Sequence, residues 1–144
     1  MKVVKLFEEF IGEGVVKRVS PDRQRAENLF LESERKYLLL QKTIENMGID
    51  NNNANDYVEY CYNIVMFLIR AKMLELGYRS SGPGAHEAEV AFARNIGFSG
   101  SEVRLLDQLR YFRNGIMYYG KRFDKEYAEQ IINFTKKMYS NLKR

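Results

Sequence analysis

Cysteine and histidine are nearly missing from this sequence; each occurs once, as Cys61 and His86. A single cysteine excludes an internal disulfide and removes the signature of a disulfide-built secreted domain. One cysteine and one histidine also fall short of the thiolate and imidazole sets that hold structural zinc, so no metal and no cofactor is expected. Cys61 lies in an apolar helical stretch with no histidine near it in sequence, which reads as an inert buried thiol rather than a nucleophile. With 2 prolines and 10 glycines, little is left for a Gly/Pro-rich linker or a disordered tract. Long hydrophobic runs are lacking as well, none approaching the ~20 apolar residues of a membrane helix. The opening "MKVVKLFEEFIGEG" carries acids where a signal peptide has its apolar stretch. These absences lead to the expectation of a cytoplasmic protein with no membrane partner.

What is present is a mildly basic chain of one-domain size. Its 144 residues hold 23 Lys plus Arg against 19 Asp plus Glu. That excess permits an anionic partner such as RNA and equally fits a solvated basic surface. Apolar residues recur in threes and fours throughout, and no segment alternates with period two for long enough to predict a strand. Val3, Leu6, Phe7, Phe10 and Ile11 predict a first helix, ended by Gly12 and Gly14. "VVKRVSP" reads as a connector, and Ser20 with Pro21 as a helix start. The segment from Pro21 to Met47 places Ala26, Phe30, Tyr37, Leu40, Ile44 and Met47 on one stripe, with Ser33 its one polar member. "DNNNAND" is a polar loop. From Asp56 to Leu76 the helix is apolar nearly all round, which predicts the central, buried element. "YRSSGPGA" reads as a loop and His86 to Asn95 as a short helix. Ser99 stands three residues before Glu102, the spacing of a capping box. The helix it opens has a predicted core stripe of Leu105, Leu109, Phe112, Ile116 and Tyr119. Asp124 caps a last helix in which Ala128, Ile131, Met138 and Leu142 recur. The expected fold is all-α, an up-and-down antiparallel bundle of five or six helices. Residues 1–20 are expected to form an N-terminal helical extension and residues 21–144 the bundle domain.

The chemistry-bearing stretch is "RYFRNGIMYYG", residues 110–120. Beside the predicted core stripe run two others, one with Arg110, Arg113, Met117 and Gly120, the other with Asp107, Tyr111, Asn114, Tyr118 and Lys121. Arg113 and Tyr118 stand ~140° apart around a regular helix. A site using both must straddle the helix edge or be completed by a second copy. Gly115 costs a helix interior ~1 kcal/mol relative to alanine, which points to close approach of another helix or a ligand; the other reading is the fraying end of a shorter helix. Arg110, Arg113, Lys121 and Arg122 interleave with Tyr111, Tyr118 and Tyr119, a composition suited to single-stranded RNA. Tyrosines packed in a core with a solvated cationic rim explain the same letters.

Four segments in order, "YVEYCYNIVMFLIRAKMLELGYRS", "GAHEAEVAF", "LRYFRNGIMYY" and "KEYAEQIINFTKKM", carry a resemblance. Over roughly residues 22–142 the chain resembles the prokaryotic HEPN domains. The resemblance implies a helical bundle that pairs as a homodimer, with the motif-bearing helices meeting near the two-fold axis. It also implies a metal-independent ribonuclease, or an inactive or nucleotide-binding relative of one. The motif is Arg, a polar residue, three variable residues and His, and it falls on Arg113, Asn114 and Tyr118. Tyrosine therefore stands at the His position, and Gly120 stands where a tyrosine often follows. A phenol of reference pKa ~10 donates a hydrogen bond well and is a poor base at neutral pH, whereas arginine still binds phosphate bidentately. The expected site is therefore Arg113 and Tyr118 for any catalysis, and Arg113, Asn114, Arg110 and Lys121 for RNA or nucleotide. The expected function is RNA or nucleotide binding at a dimer cleft with weak or no ribonuclease activity, as a toxin-like partner of a minimal nucleotidyltransferase antitoxin. The alternative is a catalytically inactive helical dimerisation or protein-interaction module. His86 is expected to serve a helix start or a loop hydrogen bond rather than catalysis.

Overall fold

The computed structural model describes residues 3–143, without the side chains of residues 116–119. The expectations for the Ile116, Tyr118 and Tyr119 side chains therefore lie outside the described residues. Six helices form: α1 (Phe7–Gly12), α2 (Arg23–Met47), α3 (Ala54–Leu76), α4 (Ala85–Phe92), α5 (Gly100–Tyr119) and α6 (Lys125–Leu142). A 3-10 turn, Ala93–Ile96, follows α4, and two short strands, β1 (Val16–Arg18) and β2 (Tyr78–Ser80), pair antiparallel. The chain is an all-α helical bundle, 73% helical. Among the described residues no helix is long and apolar enough to cross a membrane, and no cluster of metal-ligating side chains occurs.

α3 is the central helix because its apolar residues cover almost the whole circumference. Tyr57, Cys61, Ile64, Leu68 and Ala71 are buried on it, and so are Val58, Val65 and Ile69 on its other sides. α2 packs along it across the short turn 48–53, as two antiparallel helices do, and α6, α5 and α4 cover the remaining faces. Ser33 of α2 is buried without penalty because its hydroxyl donates to the Ile64 carbonyl at 3.1 Å. Burial pushes the Cys61 thiol up to about 12, so it stays protonated and inert. α1 joins this core through Phe7, whose ring meets Phe92 at 4.7 Å and Tyr78 at 5.2 Å.

The asparagine run is a clasp as well as a loop. Asn51 accepts from the Lys125 amide at 2.8 Å, and Asn55 bridges the Lys121 carbonyl and the Phe123 amide at 2.7 and 2.8 Å. The turn from α5 to α6 is thereby tied to the start of α3.

Several expectations need correction. The strands fall where a connector and a loop are expected; three residues are too few for alternation to register, and the pairing follows from α3 returning the chain beside residues 16–18. α2 begins after Asp22, whose carboxylate accepts from the Arg25 amide at 3.0 Å, rather than after Ser20. Met47, the last residue of α2, is 70% exposed.

The return of the chain hinges on Gly77. Its φ of +86° is left-handed, and its carbonyl accepts from the Val19 amide at 2.8 Å. A Cβ placed on it would lie 2.6 Å from the Val19 carbonyl oxygen. Gly77→Ala is expected to lower stability by ~1–3 kcal/mol, the scale of a strained backbone residue, read as the denaturant midpoint followed by circular dichroism.

Ser99 and Glu102 form the expected capping box at the head of α5. The Glu102 carboxylate accepts from the Ser99 amide at 2.8 Å and the Ser99 hydroxyl from the Glu102 amide at 3.2 Å. The Ser99 amide, then the Lys137 ammonium 2.9 Å away, holds the Glu102 carboxyl below its ordinary value. A depressed folded value stabilises the fold above the unfolded carboxyl's pKa, ~4.3, and the gain disappears as pH falls through the lower folded one. Glu102→Gln should cost ~1 kcal/mol at pH 7, with a smaller penalty below pH ~4, measured by denaturant unfolding at both pH values.

Candidate functional site

α5 presents a different side to the core from the one its apolar letters suggest. Val103, Leu106 and Leu109 are fully buried, while Leu105 and Phe112 are only partly so. Arg113 stands one turn beyond Leu109 and two beyond Leu106, on the core side, and not on a stripe beside it as expected. An arginine can continue a buried stripe because its stem is apolar and its head needs only a suitable partner at the end.

That partner is Tyr62 of α3, whose ring centre lies 5.7 Å from the Arg113 guanidinium carbon. Tyr62 is 4% exposed. Burial raises its phenol, while Arg70, Arg110 and Arg113 pull it down and Glu89 pushes it up. Four charged groups from α3, α4 and α5 therefore converge on one buried ring. Two of the arginines have counter-ions: Arg70 donates from Nε to Glu89 at 2.8 Å, and Arg110 from Nε to Asp107 at 3.0 Å. Arg113 has none, and its Nε is buried with no acceptor, among the described residues. A buried N–H without an acceptor costs roughly 1–3 kcal/mol, more when charged, so the site as it stands is short of an anion or another acceptor.

Of the expected site residues, Arg110 and Arg113 are thus brought together. Asn114 is half-buried on the same helix. Lys121 goes elsewhere: its ammonium lies 4.2 Å from the Phe112 ring centre and 5.5 Å from that of Phe123. The Tyr118 side chain lies outside the described residues. His86 sits near the start of α4, 3.0 Å from Glu89 and 3.3 Å from Arg70, as a surface partner of the Arg70–Glu89 pair.

Sequence reasoning missed Tyr62, Arg70 and Glu89. The signal was available for Arg70, a charge inside a helix apolar on nearly all sides, which demands a counter-ion. Comparison of the chain with family models, curated proteins and solved structures finds no match.

Proposed function

We propose that the protein binds RNA or a nucleotide through a phosphate held by Arg113, at a cleft completed by a second copy of the chain. The observation that carries this is the buried Arg113 Nε with no acceptor. A phosphate oxygen supplies what the site is short of, and Arg110, one turn before Arg113 on the same stripe, stands close enough along the helix to share the anion. Tyr62, a neutral phenol in this setting, contributes a ring face and a donor, not a base. Gly115 supports the second copy. Among the described residues, a Cβ there would meet the Lys121 side chain at 3.7 and 3.8 Å, ordinary contact distances that leave room for alanine. The HEPN resemblance suggests the same arrangement, and adds weak or absent ribonuclease activity and a nucleotidyltransferase partner.

The test is a titration of labelled single-stranded RNA, followed by anisotropy, with light scattering on the same samples. Saturable binding that weakens linearly with the logarithm of salt, by a dimer at tens of micromolar, is expected. A monomer, or binding indifferent to salt, would refute the reading.

A further inference from the structure

An arginine-lined cavity opens at the Arg70–Glu89 pair. It holds about 320 Å³ and is walled by Leu29, Phe67 and Tyr78, with Arg25, Arg70 and Arg79 as its cations. Four elements build it: the first two turns of α2, the second half of α3, β2 and α4. Its walls are fixed before any ligand arrives. Tyr78 is wedged against Phe7 and Phe92, with ring centres 5.2 and 5.8 Å apart. Arg70 is clamped by buried Glu89 and lies 6.0 Å from the Phe67 ring centre.

The charge is unbalanced. Three guanidiniums face one carboxylate, Glu89, so the lining carries three minus one, or +2. Arg25 and Arg79 form no ion pair among the described residues, and Glu89 is already engaged by Arg70 and His86. The ladder adds a further cation. Lys17 is the direct cross-strand partner of Arg79, so both side chains leave the same face of the strand pair. Like charges set opposite one another destabilise a ladder unless an anion lies between them.

From this convergence we propose that the cavity binds a small phosphate monoester carrying a planar or aromatic body. The monoester's charge at neutral pH, about −1.5 to −2, matches the lining, where a carboxylate leaves it half neutralised. The body lies against Phe67, Tyr78 and Leu29, and Arg25 and Arg79 fork the phosphate at the mouth. The cavity is separate from the Arg113 cluster, and the inference does not rest on RNA binding there.

The experiment is calorimetric titration of the whole chain at low salt with phenyl phosphate, adenosine monophosphate, inorganic phosphate and benzoate. In the Arg113→Ala chain, where the other proposed phosphate site is removed, phenyl phosphate should bind at one site per chain, more tightly than inorganic phosphate or benzoate. Adenosine monophosphate binding tighter than phenyl phosphate identifies a nucleotide as the source, and the reverse order a smaller aromatic phosphate. Arg25→Glu and Arg79→Glu, both at exposed positions, should each weaken binding about tenfold or more with unchanged circular dichroism. Arg113→Ala should leave it unaltered. No binding at millimolar ligand, equal affinity for benzoate, or affinity that survives both glutamate variants overturns the proposal. Loss in Arg113→Ala with retention in Arg79→Glu overturns it as well, by moving the ligand to the other site.

Discussion

Glu89→Ala should destabilise the fold by ~3 kcal/mol, measured as the shift in denaturant midpoint at constant slope. Glu89 is 7% exposed and is the carboxylate that holds Arg70 at 2.8 Å. Its removal leaves the Arg70 guanidinium beside Phe67 and the other arginines of the cavity with no carboxylate, and the surface imidazole of His86 is no substitute for one. The estimate sits at the low end of the range for breaking a buried pair because the Arg70 side chain is 30% exposed and water reaches it. Glu89→Gln keeps an acceptor and should lose about half as much. Replacing both partners, as Arg70→Met with Glu89→Leu, should recover most of the loss, since the desolvated charge disappears together with its counter-ion. A Glu89→Ala variant within ~0.5 kcal/mol of the parent, the usual effect of a surface substitution, would show that the pair contributes nothing.

Tyr118→His should raise metal-independent RNA cleavage by ~10²- to 10⁴-fold, the usual gain from a well-placed acid–base group. At pH 7 a phenol of pKa ~10 is ionised about one part in a thousand, so the natural chain should cleave very weakly or not at all. On the proposed reading, an imidazole titrating near neutrality would supply the base that takes the 2′-hydroxyl proton, with Arg113 holding the phosphate. Positions five apart on a regular helix stand ~140° apart, so on the proposed reading the gain requires the second copy. The assay is run with chelator on single-stranded RNA from pH 6 to 9. Robust cleavage by the natural protein, lost in both Arg113→Ala and Tyr118→Phe, would show that tyrosine itself serves catalysis.

The fold was legible where apolar residues repeat over many turns. α3, apolar on nearly every side, declared itself central, and α6 buries the expected Ala128, Ile131, Met138 and Leu142. The side that α5 turns inward was not legible. Leu105 and Phe112 belong to an apolar stripe, yet Phe112 is covered by the α5–α6 turn, where it meets Phe123 at 5.2 Å and Tyr127 at 6.0 Å. The buried stripe runs instead through Val103 and Leu106 into Arg113, and periodicity counts an arginine as polar although most of its length is not. Arg113 was therefore singled out by residue type and motif, while its place on the core side of α5 was not foreseen. The Arg70–Glu89 pair joins positions nineteen residues apart on different helices, which only tertiary packing brings together.

The central claim, an anion on Arg113, is tested most directly by the RNA affinity of Arg113→Ala beside the parent at one fixed low salt concentration. The account predicts a loss of ~1–3 kcal/mol, about 5- to 150-fold in Kd, with the fold intact by circular dichroism. Equal affinity in the two proteins would contradict it.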